Sequence, residues 1–275
     1  MKIIDSHQHF WRYNAAKQGW INEGMSVIRQ DFLPDQLKII LQENNIHGCV
    51  AVQAEAADLE TDFLVGLAAE NKFIEGVVGW VDLCASNIEE KLLKYQQHKI
   101  IKGFREMLQQ KATGYMLQDN FKRGITALSA LNLSFDLLIL PEQLQEAITL
   151  VKQFPKQKFV INHLAKPAIK TGVIAGWEKQ INNIAQFENV YCKISGLVTE
   201  ADHKLWKQED FKPYLEVVVK AFGTKRILFG SDWPVCLLAA DYKNTLNIVS
   251  TYFSSFSITE QEDFFGNNAT AFYQL

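Results

Sequence analysis

The sequence has few cysteines, only four in 275 residues, and no two of them form a Cys-x-x-Cys pair. The four cysteines are far apart in the sequence and do not form the disulfide framework of a small domain, so we expect a reduced, cytoplasmic setting. No stretch approaches the roughly 18 unbroken apolar residues of a membrane span. The N-terminus also lacks the basic start, apolar segment and small-residue cleavage site of a secretion signal. We therefore predict neither a membrane association nor secretion.

Basic and acidic residues are nearly balanced in number. Lysine and arginine number 28 and aspartate and glutamate 31, which leaves a net charge of −3 with both signs interspersed. Such a chain has no sustained positive field to hold a phosphate backbone. Nucleic acid is therefore not expected as a partner.

Three motifs that announce common enzyme classes are missing. We find no G-x-G-x-x-G dinucleotide turn, no G-x-x-x-x-G-K-[ST] phosphate loop and no G-x-S-x-G nucleophile elbow. The first apolar strand is followed by Gln8, His9, Phe10 and Trp11 instead. A doubly wound nucleotide-binding sheet would usually carry a glycine-rich turn at this place.

What the sequence does contain is an alternation of short apolar runs with segments of helical periodicity. With 48% hydrophobic and 21% charged residues, the chain can bury a large core. Eight such pairs in 275 residues predict an α/β fold, a single (β/α)8 TIM barrel over residues 1–275. A last segment from Thr259 to Tyr273 predicts a helix that packs against the barrel. The predicted strands are Ile3–His7, Gly48–Gln53, Gly76–Trp80, Ile101–Arg105, Ser134–Leu138, Phe159–His163, Val190–Ser195 and Ile227–Ser231. The predicted helices are Pro34–Glu43, Asp62–Glu70, Asn87–Gln97, Phe121–Leu131, Pro141–Phe154, Gly176–Phe187, Phe211–Phe222 and Asp241–Tyr252.

Two histidines stand at the end of the first strand. His7 and His9 are two residues apart, so in a regular strand both project to the same side, with Asp5 one layer deeper. Two imidazoles at this spacing make half of a metal site or a pair of donors for a developing oxyanion. The alternative is a capped strand end with two hydrogen-bonded histidines.

His163 and Asp232 occupy corresponding places after the sixth and eighth apolar runs. In barrels of this kind the chemistry lies at the C-terminal ends of the strands. The alternatives are a structural hydrogen bond for His163 and a helix cap for Asp232. Because four ionisable residues share this end, we predict that His7, His9, His163 and Asp232 form one catalytic site.

Further residues near strand ends predict a pocket for a small polar substrate. Arg105 ends the fourth strand and can hold a carboxylate or hydroxyl groups, although a salt bridge to a loop acid is the alternative. Gln53 adds a hydrogen-bonding group, and Trp11 and Trp233 offer apolar walls or faces for a sugar, unless they belong to the core. The irregular segment from Asn14 to Asp31 can lie over the barrel mouth.

Several motifs, taken together and in order, resemble the amidohydrolase-related sugar-lactone hydrolases, including the L-fuconolactonases and L-rhamnonolactonases. The likeness spans nearly the whole chain. The motifs are Asp5-Ser-His-Gln-His-Phe-Trp11, Gly76-Val-Val-Gly-Trp-Val-Asp82, Lys102-Gly-Phe-Arg105, Asn162-His-Leu-Ala-Lys-Pro167, Lys193-Ile-Ser-Gly-Leu197, Gly230-Ser-Asp-Trp-Pro-Val235 and Phe265-Gly-Asn-Asn-Ala269.

This resemblance implies a barrel that opens the ester bond of an aldonolactone, such as L-fucono-, L-rhamnono- or L-galactonolactone, by adding water in carbohydrate catabolism. The three histidines would surround the lactone carbonyl, Asp232 would receive the proton of the water, and Arg105 would contact the substrate. The chain departs from the binuclear members of the wider group, because its fourth strand offers Arg105 and its fifth strand Asp136.

The role of a metal stays open at this point. Either His7, His9, His163 and Asp232 hold a single Zn²⁺, or the histidines donate hydrogen bonds while Asp232 alone acts as general base. No cofactor is strictly required in the second case. Zinc-dependent amide hydrolysis or decarboxylation on the same barrel, and a silent sugar-acid binding protein, are the alternative functions. The oligomeric state is open too, including a homo-oligomer.

Overall fold

Eight parallel strands form a single sheet in the computed structural model, which describes all residues from Met1 to Leu275. Strands that are neighbours in the chain are neighbours in the sheet, and every pair is parallel. The strands are β1 (Ile4–Gln8), β2 (Gly48–Val52), β3 (Ile74–Gly79), β4 (Ile101–Glu106), β5 (Ser134–Leu137), β6 (Phe159–Ile161), β7 (Val190–Ile194) and β8 (Ile227–Phe229).

The sheet closes between its first and last strands. The Asp232 amide donates to the His7 carbonyl oxygen at 2.8 Å, and the His9 amide donates to the Trp233 carbonyl oxygen at 2.7 Å. These bonds pair the end of β1 with the residues directly after β8. The predicted (β/α)8 barrel is thus confirmed, and a doubly wound open sheet is excluded.

A helix follows each strand on the outside of the barrel. The helices are α1 (Pro34–Glu43), α2 (Asp58–Glu70), α3 (Ile88–Gln96), α4 (Asp119–Ala130), α5 (Leu144–Gln153), α6 (Ala175–Ile184), α7 (Gln208–Phe222) and α8 (Tyr242–Phe253). The α2 helix begins four residues before the predicted Asp62, because its first turn carries polar side chains that show no apolar periodicity.

Apolar side chains pack in two layers, one between the strands and the helices and one inside the barrel. Strands that are buried on both faces need apolar residues at successive positions rather than an alternation. The inner layer consists of Ile4, Val50, Val52, Val78, Val160, Leu228, Ala269, Phe272 and Tyr273. It fills the barrel beneath the polar strand ends and gives them a rigid base.

The chain ends in the predicted closing helix, which is confirmed. It consists of α9 (Ile258–Glu262), one π-helical turn (Asp263–Asn267) and α10 (Asn268–Tyr273). Phe264 stacks on Phe253 with ring centroids 4.0 Å apart, while Phe272 and Tyr273 enter the inner layer. The closing helix therefore contributes side chains to the interior of the barrel.

Two features concern the setting of the molecule. None of the helices combines the length and the apolar character that crossing a bilayer requires. All four cysteines are unpaired. The cytoplasmic setting, the single-domain organisation, the lack of nucleic-acid partners and the homo-oligomer stay predictions.

Candidate active site

His7 and His9 face the same side, as predicted, whereas a bulge in β1 turns Asp5 away from them. The register between β1 and β2 shifts between Asp5 and Gln8, so the alternation of inward and outward side chains is broken there. Asp5 turns toward helix α8, where it accepts hydrogen bonds from Tyr242 at 3.0 Å and from Ser231 at 2.5 Å. The prediction that Asp5 lies one layer beneath the histidines is therefore wrong.

One carboxylate oxygen lies at the centre of the four predicted residues. Asp232 Oδ1 is 3.4 Å from His9 Nε2 and 3.8 Å from Nε2 of both His7 and His163. All four side chains are buried or nearly so. The sequence prediction placed these residues at one end of the barrel, and the structure brings them into a single cluster.

A left-handed turn presents His163 to this cluster. β6 ends at Ile161, and the four residues from His163 to Lys166 all have φ between 51° and 57°. Non-glycine residues rarely adopt such angles, and backbone strain of this kind concentrates at functional sites. His163 and Lys166, at the two ends of this turn, both line the cavity described below.

Hydrogen bonds define how two of the histidines are protonated. His9 Nδ1 lies 2.8 Å from the Val52 carbonyl oxygen, which can only accept, so Nδ1 carries the proton and Nε2 offers a lone pair. His7 Nε2 lies 3.2 Å from the Arg105 Nη1 donor and is therefore an acceptor too. His163 Nδ1 is 2.9 Å from the Ser195 hydroxyl, which can donate or accept.

Burial keeps the histidines neutral. It lowers the pKa of His163 to about 3 and lowers the pKa values of His7 and His9 below the ordinary value. Burial also raises the pKa of the Asp232 carboxyl, but His163 and His9 outweigh this effect, so that the pKa of Asp232 lies below its ordinary value. At neutral pH the site therefore holds one carboxylate among three uncharged imidazoles.

Arg105 adds a fixed positive charge beside the histidines. Its Nη2 donates to the backbone and side-chain oxygens of Gln53, the latter at 3.1 Å, and its Nη1 contacts His7. Burial lowers the pKa of Arg105 to about 10, so the guanidinium stays charged at neutral pH. Arg105 does not form a salt bridge with a loop acid, which was the alternative interpretation of the sequence.

A cavity of about 330 Å³ opens above the cluster. Its volume falls in the range of pockets for small molecules. Its walls are formed by His9, Trp11, Trp20, Met25, Ala54, Arg105, Met107, Gln109, Gln110, Leu138, His163, Lys166, Thr199, Glu200, His203, Asp232, Val235 and Leu238. The cavity thus combines an apolar side with a polar rim.

Not all predicted substrate contacts line this cavity. Trp11 and Arg105 do. Gln53 is fully buried behind Arg105, and Trp233 packs in the core with Phe32 at a ring-centroid distance of 5.2 Å. Gln53 holds Arg105 from outside the cavity, and Trp233 belongs to the hydrophobic core.

Sequence reasoning missed part of the polar rim. Lys166 and Glu200 pair across the cavity wall, with Nζ and Oε1 3.0 Å apart, and His203 lies nearby. These residues stand in loops after β6 and β7, where periodicity gives no signal. Trp20 and Met25 confirm that the segment between Asn14 and Asp31 lies over the barrel mouth.

The cluster fits one divalent cation. The ligand atoms of His7, His163 and Asp232 lie within 4.8 Å of one another, and His9 Nε2 offers a further lone pair toward the carboxylate. Nitrogen and carboxylate oxygen are ligands that zinc accepts, and tetrahedral zinc holds its ligands roughly 3.4 Å apart. The guanidinium of Arg105 adds a fixed positive charge beside His7, which disfavours a second cation there. The residues therefore form one candidate site for an ion.

Comparison with known proteins adds a family. The chain matches the amidohydrolase family over residues 4–275. It is 37% identical to an L-fucono-1,5-lactonase of Burkholderia multivorans over 99% of this chain and 96% of that one. An L-rhamnono-gamma-lactonase of Scheffersomyces stipitis is 26% identical over 65% of this chain and 61% of its own. The crystal structure of an amidohydrolase from Burkholderia multivorans with bound zinc superposes with a TM-score of 0.97 at 36% identity, covering all of both chains.

Proposed function

The chain belongs to the amidohydrolase family, and we propose that it is a lactonase that opens a sugar lactone by adding water. The observation that carries this proposal is the Asp232 carboxylate, which has three neutral histidines within 3.8 Å and faces a small polar cavity. An ester in a ring needs a base for the attacking water and donors for the carbonyl oxygen. It does not need a proton delivered to a poor amine leaving group.

Asp232 is the group best suited to act as the general base. Its pKa lies below the ordinary value, so its carboxylate is ionised at neutral pH. It lines the cavity, so a water held against the substrate lies within its reach. In the proposed step Asp232 accepts a proton from this water as the oxygen bonds to the lactone carbonyl carbon. The tetrahedral intermediate then collapses and the bond between the carbonyl carbon and the ring oxygen breaks. The proton held by Asp232 passes to the ring oxygen, which leaves as a hydroxyl group, and the carboxylic acid product loses its own proton to solvent.

Arg105 and His163 are placed to stabilise the oxyanion that forms in this step. Both line the cavity next to Asp232, and the Arg105 guanidinium remains charged. A preorganised donor in a buried site contributes about 3–4 kcal/mol to transition-state stabilisation. His9 is fixed through its bond to the Val52 carbonyl oxygen, with Nε2 directed toward the carboxylate.

His7, His163 and Asp232 would hold a zinc ion if one is used, with His9 beside them. The relative that was crystallised with zinc supports this assignment at 36% identity. When bound, the ion would polarise the lactone carbonyl or lower the pKa of a water. We propose at most one ion. With the ion bound, His163 would be a ligand and Arg105 would remain as the donor to the oxyanion; without it, both residues would donate.

The lactone of a six-carbon deoxy sugar is the proposed substrate class. The L-fucono-1,5-lactonase relative supports this choice, since it matches nearly the full length of the chain. The rim offers a cation and an anion, Lys166 and Glu200, which suit the donors and acceptors of sugar hydroxyl groups. Trp11 and Trp20 supply apolar faces that can pack on a sugar ring.

Incubation of the purified protein with a panel of sugar lactones tests the proposal. Acid release is followed with a pH indicator, and the panel contains L-fucono-, L-rhamnono- and L-galactonolactone. We expect opening of at least one lactone well above the spontaneous rate. Metal analysis of the untreated protein, and repetition with a chelator, separate the two versions of the site. Folded protein that accelerates the opening of no lactone contradicts the proposal.

A further inference from the structure

A second polar cluster lies inside the barrel beneath the candidate active site. Its centre is Asp136 on β5, which is fully buried and does not line the cavity. Lys193 donates to its Oδ2 at 2.7 Å, and Tyr273 of the closing helix donates to its Oδ1 at 2.9 Å. Asn162 donates to Oδ2 at 2.9 Å. The proposed reaction uses none of these four residues.

This cluster connects to the active site through one amide. Asn162 Oδ1 lies 3.4 Å from Arg105 Nη1, and the same nitrogen is 3.2 Å from His7 Nε2. Asp136 is thus connected to His7 of the active site through two residues, Asn162 and Arg105. Neither Asp136 nor Asn162 lines the cavity, so neither is placed to contact a substrate.

The charge of Asp136 determines how the amide is oriented. A carboxylate only accepts hydrogen bonds, so the Asn162 NH₂ group must face it. The amide oxygen is then directed to Arg105, which only donates. If Asp136 were an amide, Asn162 could rotate and turn its NH₂ group toward the guanidinium, which would leave two donors facing each other.

We propose that Asp136 is a positioning residue for lactone opening, which acts through Asn162 to fix the guanidinium of Arg105 beside His7. This inference rests on the proposed function. A purely structural role for Asp136, as the counter-ion of the buried Lys193, is the competing explanation.

A double-mutant cycle in the full-length protein separates the two roles. Asp136→Asn and Asn162→Leu are each expected to lower kcat for the lactone about 10- to 100-fold with little change in KM, the usual effect of losing a group that orients a reactive side chain. Because both variants break the same connection, the combined variant should lose no more than the worse single variant. Losses that multiply in the combined variant overturn the proposal.

Two further variants separate the positioning role of Asp136 from its ion pair with Lys193 and from a general effect of changing a buried carboxylate. Asp136→Asn/Lys193→Met removes the buried ion pair as a unit, so that no unpaired charge remains to unfold the protein. This double variant should show the same loss of kcat as Asp136→Asn. A wild-type kcat in the double variant would mean that Asp136 serves only as the counter-ion of Lys193, and this result overturns the proposal. Glu106→Gln is the control, since Glu106 is a buried carboxylate on the neighbouring strand β4 whose partners are Met107 and Lys111. Its kcat should stay near the wild-type value.

The rate of the wild-type protein distinguishes failure of the lactonase function from failure of the positioning role of Asp136. A wild type that opens no lactone overturns the proposed function and this inference with it. An active wild type whose Asp136 and Asn162 variants keep full kcat overturns the positioning role alone.

Discussion

Gly196 offers a way to move His163 without changing any polar group. Gly196 has φ +62°, and a Cβ atom there would lie 2.5 Å from His163 Nδ1 and 2.8 Å from its Cγ. Ordinary contact begins at 3.4 Å, so the imidazole must shift by about 0.9 Å in Gly196→Ala. A misplacement of about 1 Å can cost roughly 100-fold in rate. The left-handed backbone adds a stability cost of about 1–2 kcal/mol for alanine.

The matched control is Gly172→Ala. Gly172 has φ +69°, and nothing lies within 4 Å of a Cβ placed there. Both variants should therefore lose the stability cost of a left-handed alanine, and Gly196→Ala should lose more because its Cβ displaces the imidazole. The free energy of unfolding in urea measures both losses. Only Gly196→Ala should lose about two orders of magnitude in kcat for a lactone. Equal kcat values for the two folded variants would refute the role given to His163.

Three other predictions concern buried charged groups, two of them about the active site and one about Glu60 in helix α2. Arg105→Lys should lower kcat at least about tenfold, because an ammonium cannot replace a planar guanidinium that bonds several groups at once, and steady-state kinetics checks this. The rate kcat/KM should stay level from pH 7 to pH 5, since the pKa values of His163 and Asp232 lie below their ordinary values; a fall centred near pH 6.5 contradicts it. Glu60 lies buried in the first turn of α2 and accepts hydrogen bonds from the amides of Ala54 and Glu55. Burial raises the pKa of Glu60 to about 7, so the native state keeps this proton while the unfolded chain loses it above about pH 4.5. Native stability from this group is thus present at low pH and lost as the pH rises to 7, and Glu60→Gln should gain up to about 3 kcal/mol over the wild type between pH 4 and pH 8 in urea unfolding.

The strands were the most predictable part of the fold. Parallel strands that are covered on both faces are continuous apolar runs, so each of the eight is recognisable from the sequence alone. The residues at which the strands end were harder to predict. β6 stops at Ile161, two residues before the predicted His163, because the chain enters a left-handed turn there. Hydrophobic periodicity carries no information on the sign of φ, and His163 is not a glycine that would have signalled it.

The candidate site was predictable where it depends on strand ends and not where it depends on loops. His7, His9, His163 and Asp232 could be grouped because parallel strands bring their C-terminal ends together. Lys166 and Glu200 line the same cavity from irregular loops, and their pairing depends on a backbone course that the sequence pattern does not describe. The inward or outward direction of Asp5 was missed for a related reason, since a bulge shifts the alternation of β1.

The most direct test of the central claim compares wild-type protein with Asp232→Asn on L-fucono-1,5-lactone. An amide of the same shape cannot accept the proton of the attacking water, so we expect kcat to fall about 100- to 10,000-fold, the contribution of a general base. Circular dichroism and binding of the aldonate product should show that the variant is folded and still recognises its ligand. An Asp232→Asn protein that opens the lactone at the wild-type rate would contradict the account.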